Sequence, residues 1–243
     1  MSKLREPALR KVDLHIHTPK SACYSDVSVT SEQIADAALA AGLEAIAITD
    51  HNSVEAIEDM REVAVRKGLG VFAGIELSTV GGHIVALFPD DTPVEDLRKF
   101  LLHVGLEQQQ WGDAINLANG DTEEVLRKIV EWDGLAIAAH VERWPSGFLE
   151  TNLSRQVKMA IHASDYLSAL EISIPQNKAR WNAGAMRGYP KRRACTQGSD
   201  AHNLDEIGRR PVYVKMESIS LNALQRAIQE YETAIYFPEE LAC

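Results

Sequence analysis

The run Val12-Asp13-Leu14-His15-Ile16-His17-Thr18 carries two histidines two residues apart inside an apolar stretch. Residues i and i+2 of a strand point to the same face, so His15 and His17 would project together. Two imidazoles on one face suit a metal ion, although a hydrogen-bonded pair without metal fits the same spacing. Further ligand-type residues punctuate the chain at Thr49-Asp50-His51-Asn52, Gly74-Ile75-Glu76-Leu77-Ser78, Ala138-Ala139-His140 and Gly198-Ser199-Asp200-Ala201-His202, and His83 opens another apolar run. A carboxylate such as Glu76, directly after Val71 to Ile75, needs a cation or hydrogen bonds because burying a bare charge is expensive. Taken singly, Glu76 could be a rim salt bridge, His140 a capped core histidine and Asp200 a turn cap. The conjunction HxH, DH, E, H and DxH, each at the end of an apolar run, points instead to a metal cluster.

These residues need elements to position them. Candidate strands are Val12 to His17, Leu43 to Thr49, Gly70 to Leu77, His83 to Phe88, Leu135 to His140, Leu167 to Ser173, Ala194 to Gly198 and Pro211 to Met216. Helical patterns occupy Thr30 to Gly42, Val54 to Lys67, Pro93 to Leu106, Thr122 to Trp132, Leu153 to His162, Asn177 to Arg187 and Leu221 to Glu230; Gln108 to Gly120 reads as loop. The strand runs are apolar throughout, which suggests burial on both faces as in a parallel sheet. Such alternation predicts an α/β fold. Seven or eight strands in this length favour a barrel over an open sheet, and a barrel's C-terminal rim is where side chains from distant segments converge.

The chain has 243 residues, 45% hydrophobic and 25% charged, with 25 Lys plus Arg against 35 Asp plus Glu and a formal net charge of −10. This composition excludes collagen, coiled coil and disorder, and a single domain spanning 1–243 is expected. No apolar run approaches the ~20 residues that span a bilayer. The charged segment Met1 to Asp13 has no signal-peptide core, so a cytoplasmic location and no membrane partner are expected. An acidic balance argues against a dedicated nucleic-acid binder. The clusters Lys191-Arg192-Arg193 and Arg209-Arg210 read as solvated surface. Cys23, Cys195 and Cys243 show no CxxC pairing and read as free thiols: Cys195 in a strand core, Cys243 at the terminus.

Together these motifs resemble the polymerase and histidinol phosphatase (PHP) family of metal-dependent phosphoesterases, and the resemblance runs from Asp13 to His202. It implies a distorted (β/α)7 TIM-like barrel with two or three divalent ions, zinc, manganese or iron, at the C-terminal rim. By the resemblance, His15, His17, Glu76 and Asp200 would hold one ion and His51 with His202 a second. A third would lie between His83 and His140, with Glu76 bridging. Asp13 and Asp50 resemble carboxylates that orient neighbouring imidazoles. The chain departs from the family six residues after His17, where many members carry a further ligand and this one has Cys23. A Cys23 thiolate, a substitute Asp26 or a weakened site are the alternatives.

The expected activity is hydrolysis of small phosphate esters, monoesters first, through a metal-bound hydroxide at a multinuclear site. His202 or His140 would protonate the leaving oxygen. Arg143, three residues past His140, is the candidate phosphate clamp because a guanidinium fork matches phosphate geometry; Lys20 is second. Trp144 lines the pocket or packs in the core, and His103 and His162 read as surface or packing residues. The competing readings are a nuclease of the same family, a histidinol phosphatase, an amidohydrolase-type barrel and a non-catalytic module. The partner expected is a small phosphorylated substrate, with nucleic acid less favoured.

Overall fold

Nine strands share one sheet in the computed structural model, which describes residues 6–241. They are β1 (Ala8–Ile16), β2 (Ala45–Ile48), β3 (Gly70–Thr79), β4 (Gly82–Phe88), β5 (Leu135–Ala138), β6 (Leu167–Glu171), β7 (Ala194–Thr196), β8 (Val212–Met216) and β9 (Ile235–Tyr236). The order across the sheet is β7-β6-β5-β4-β3-β2-β1-β8-β9. The N-terminal half of β1 pairs antiparallel with β8, from Ala8 opposite Met216 to Val12 opposite Val212. Its C-terminal half meets the segment that follows β7: Ile16 bridges Ala201, Asp200 N–H donates to His15 O at 2.8 Å and His17 N–H to Ala201 O at 3.0 Å. The sheet therefore curls into a nearly closed barrel, with the end of β1 and the end of β7 side by side.

Helices α1 (Ser31–Ala40), α2 (Ile57–Lys67), α3 (Val94–His103), α4 (Thr122–Glu131), α5 (Arg155–Ala163), α6 (Lys178–Asn182) and α7 (Leu221–Gln229) follow, with two single-turn helices near the C-terminus. Local sequence explains their starts. Thr30 and Gln33 form a reciprocal capping box on α1, and Asp121, Ser154 and Ser220 each accept a backbone N–H at the starts of α4, α5 and α7, satisfying donors that have no partner within the helix. α1 buries Ile34, Ala35 and Ala38. β2 and β5 are fully buried four-residue strands, Ala-Ile-Ala-Ile and Leu-Ala-Ile-Ala.

Three expectations are corrected. The sheet is not parallel throughout: β4 runs antiparallel to both β3 and β5, and β8 antiparallel to β1. Only Val80 and Gly81 separate β3 from β4, enough for a hairpin and far short of the dozen or so residues that a crossover needs. Burial on both faces therefore did not distinguish the two pairings. The helix expected to Arg187 stops at Asn182, with Gly184 at φ +66° just beyond. Arg193 is buried rather than solvated, because its guanidinium donates to the carbonyls of His162, Ser164 and Leu167. Arg192 is exposed as expected and pairs with Glu232. Cys195 is buried in β7. Cys243 lies outside the described residues.

Candidate metal centre

Glu76, on the seventh residue of β3, is fully buried and ringed by imidazoles. Its Oε1 lies 2.8 Å from His83 Nδ1 and 2.9 Å from His140 Nε2. Its Oε2 lies 2.9 Å from His51 Nδ1, 3.2 Å from His17 Nε2 and 3.3 Å from His15 Nε2. Asp200 joins from the β7 end, with Oδ1 3.0 Å from His17 Nε2 and 3.3 Å from His15 Nε2. His202 stacks on His17 with ring centroids 4.1 Å apart. The hairpin turn explains His83: it stands opposite Ser78 in the β3–β4 ladder, one diagonal step from Glu76. The HxH pair arrives from β1, and Asp200 and His202 arrive through the segment that closes the barrel.

Close approach at this seam depends on Gly198, where a Cβ would fall 2.4 Å from His15 Cβ. Asn52, His140 and Asp200 adopt left-handed backbone at φ +48°, +30° and +49°. That region is costly for residues with a Cβ, and such strain tends to collect at functional sites.

The donor atoms fall into three sets: His15, Glu76, His140 and Asp200; His17, His51 and His202; His51, Glu76 and His83, with the ligand-type atoms of each set within 4.8 Å of one another. The fit to a cation is physical. Four ligands around a tetrahedral ion with bonds of about 2.0–2.1 Å stand about 3.3 Å apart. His15 Nε2 and His17 Nε2 are 3.2 Å apart, and each is 3.0–3.3 Å from both Glu76 Oε2 and Asp200 Oδ1. Glu76 Oε2 and His51 Nδ1 are also buried without a properly aligned hydrogen bond, as expected of lone pairs directed at a common centre.

Electrostatics agree. Burial alone would lower His17, but hydrogen bonds to Asp200 and Glu76 push it up to about 9. His15 moves up for like reasons, against its burial, under the charges of Glu76, Glu171 and Asp200. Burial would raise Glu76 and Asp200, yet neighbouring imidazoles hold both well below the carboxylate range. Burial pushes His51 and His202 down. The centre thus draws positive charge, which a proton or a divalent ion can supply.

Of the residues singled out from sequence, His15, His17, His51, Glu76, His83, His140, Asp200 and His202 converge here. Cys23 is not among them: the residue is exposed and belongs to none of the three sets, and partial desolvation of its thiol, with the nearby charges of Glu76, Asp200 and Asp50, pushes its pKa up to about 11. Asp26 is exposed, and its Oδ1 accepts from Ser28 N and Oγ. Arg143 pairs with Asp200 Oδ2 and remains partly exposed, whereas Lys20 is exposed and pairs with none of these groups. Trp144 is 76% exposed and so not part of the core. His103 is exposed on α3; His162 is buried on α5 between Trp181 and Tyr189.

The carboxylates expected to orient imidazoles behave differently. Asp13 accepts from Ser199 N and Gly208 N, both at 2.9 Å, and so ties the β7–β8 loop to β1 rather than an imidazole. Asp50 accepts from Thr18 N, Thr18 Oγ1 and Ser21 Oγ at 2.7–2.8 Å. Burial pushes both acids up. Two neighbours of the HxH pair went unnoticed: Glu171 Oε2 lies 2.7 Å from His15 Nδ1, and Ser21 Oγ lies 2.9 Å from His17 Nδ1. Glu171 could have been found, since it ends the apolar run Ala169-Leu170-Glu171 just as Glu76 follows Ile75. Ser21 carries no such signal.

A model of the PHP domain matches residues 13–167. The chain belongs to the PHP domain family. An uncharacterized protein of Methanocaldococcus jannaschii is 31% identical over 137 residues, 54% of this chain and 67% of that protein. Among solved structures, the lesion-specific endonuclease Q of Pyrococcus furiosus superposes with a TM-score of 0.73 at 18% identity, covering 95% of this chain. The chain spans 58% of that protein's length. A proposed metal-dependent phosphoesterase from Bifidobacterium adolescentis gives a TM-score of 0.57 at 20% identity, over 82% of this chain and 90% of that one. At these identities the likeness is one of PHP fold. No helix among the described residues is long and apolar enough to cross a membrane.

Proposed function

We propose that this PHP domain is a metal-dependent phosphoesterase that hydrolyses small phosphate monoesters. The observation that carries the reading is Glu76: five imidazole nitrogens stand within 3.3 Å of one buried carboxylate. His15, His17, Glu76 and Asp200 would hold one ion, with His51, His83 and His140 completing a two- or three-ion centre of zinc, manganese or iron. Imidazole with some carboxylate suits these metals better than magnesium. Bound ions of this kind activate water and stabilise charge on the oxygens around phosphorus.

The chain's own groups do the rest. Arg143, held beside the cluster by Asp200, offers its free guanidinium N–H groups to a phosphate oxygen. Of the two imidazoles expected to protonate the leaving oxygen, His202 is the more accessible, its side chain 25% exposed against 1% for His140, and it would take this role in place of binding an ion. Asp50 acts at a distance, by holding Ser21 and Thr18. The cytoplasm is the compartment this reading assigns.

A second reading, cleavage of nucleic acid, is favoured by the match to endonuclease Q across 95% of the chain. Against it stands the net charge of −10, since a nuclease grips several phosphates with Lys and Arg along a groove. A panel of small phosphate esters and oligonucleotides, assayed with the metal-analysed protein at ~150 mM salt, separates the two. Turnover of small monoesters with weak or no cleavage of DNA is expected. Efficient cleavage of oligonucleotides with inertness toward every small ester would overturn the monoesterase.

A further inference from the structure

We infer that Glu171 and Ser21 set the tautomers of His15 and His17, and that the affinity of the ion held by this pair depends on them. The inference rests on the metal-dependent reading above. A neutral imidazole has one N–H and one lone pair, and whichever nitrogen finds an acceptor keeps the proton. Glu171 is buried at the end of β6, and its side chain has only one hydrogen-bond or ion-pair partner among the described residues, His15 Nδ1 at 2.7 Å. A carboxylate only accepts, so His15 carries its proton on Nδ1.

Ser21 reaches the same result by a different route. Its single hydroxyl proton goes to Asp50 Oδ1 at 2.7 Å, an acid that already collects Thr18 N–H and Thr18 Oγ1–H. Ser21 Oγ also accepts the backbone N–H of His51 at 3.0 Å. Its remaining contact, His17 Nδ1 at 2.9 Å, must therefore be one in which the ring donates. With the proton of the neutral ring held on Nδ1, each member of the HxH pair has its Nε2 lone pair available to an ion, once the second proton that Asp200 and Glu76 favour has left. These two lone pairs face each other at 3.2 Å, and each faces Glu76 Oε2 and Asp200 Oδ1. These four atoms enclose a cavity that a proton on the imidazoles or a divalent cation can fill. By contrast, His140 Nδ1 is buried with no hydrogen-bond partner, so no outer acceptor draws that ring's proton away from the side that faces Glu76.

The strands explain why two partners are needed. His15 and His17 lie on one face of β1, but the backs of their rings point to different neighbours: His15 to the end of β6, His17 to the loop that leaves β1. Outer partners of metal-bound histidines commonly change affinity 10–100-fold when removed.

The test is a zinc titration of the full chain, stripped of metal, in competition with a chromophoric chelator, for wild type, Glu171→Ala, Glu171→Gln, Ser21→Ala and Ser21→Thr. Thermal melts of the metal-free proteins control for folding, and Co²⁺ absorption reports ligand geometry. We expect Glu171→Ala and Ser21→Ala to weaken the tightest zinc site about 10–100-fold and to alter the cobalt spectrum. Glu171→Gln and Ser21→Thr, which keep an acceptor oxygen, should regain most of the affinity. Wild type that takes up no zinc or other transition metal sinks the metal reading itself. Tight binding by wild type with both alanine variants within threefold overturns the positioning roles alone, and so does a loss that the acceptor-keeping variants share in full. Should Glu171→Ala fail to fold, Glu171→Gln and Ser21→Ala decide.

Discussion

Arg143 pairs with Asp200 through Oδ2, while Oδ1 of the same carboxylate lies 3.0 Å from His17 Nε2. One acid thus faces the imidazole cluster with one oxygen and a guanidinium with the other. This arrangement places a positive group at the edge of the centre without adding it to the ligands.

Replacing Arg143 by Ala should raise KM for a phosphate monoester about 10–100-fold, the worth of hydrogen bonds to a charged group, with metal content unchanged. Lys should recover little, because an ammonium lacks the planar fork. Steady-state kinetics beside elemental analysis check this. An unaltered KM would leave Arg143 as an ion-pair partner of Asp200 only.

His17→Ala and Asp200→Ala should each cut phosphatase activity by at least about 100-fold and lower bound metal, because both point into the cluster. His103→Ala, exposed at the end of α3, should stay within a few-fold of wild type. Equal damage from His103→Ala would contradict the assignment of the site to the barrel rim.

Cys23 is exposed and belongs to none of the three donor sets. Cys23→Ala should therefore leave metal stoichiometry unchanged and the rate within about twofold, since exposed substitutions away from special features have small effects. Loss of one equivalent of metal in this variant would make the thiolate a ligand after all.

His162 links pH to stability away from the site. Its ring is buried with neither nitrogen hydrogen-bonded, and burial, reinforced by Arg193 and Lys191, pushes it down to about 4. The unfolded chain protonates near 6.5, so between pH 6.5 and 4 it binds a proton that the folded chain refuses, and stability falls as pH falls. At pH 5 the deficit is about 2 kcal/mol. His162→Phe keeps an aromatic ring beside Trp181 and Tyr189 and removes this titration. Thermal melts at pH 7 and pH 5 should show the variant gaining on wild type as pH drops; parallel shifts in the two proteins would refute the assignment.

Much of the barrel and the cluster was legible from the chain alone. Strand character is local: apolar, β-branched runs such as Ala45 to Ile48 and Leu135 to Ala138 need no partner to be recognised. The period-2 geometry of a strand then places His15 beside His17 before any fold is known. The helix starts at Thr30 and Asp121 are likewise written in residues within a few positions of each other. The direction of β4 was less apparent, because burial on both faces reads alike in parallel and antiparallel neighbours.

Other features belong to the tertiary structure. Glu171 is 156 residues from His15 and Asp200 is 183 from His17; no spacing rule reaches so far, and only barrel closure sets those distances. Exclusion of Cys23 from the donor sets depends on the path of one loop, and the burial of Arg193 depends on carbonyls left over at the end of α5. The sequence by itself determined which residues could bind a metal and on which strands they ride, because residue chemistry and strand period are local properties. Which oxygen meets which nitrogen was decided by packing between strands far apart in the chain, where tenths of an ångström separate a ligand from a bystander.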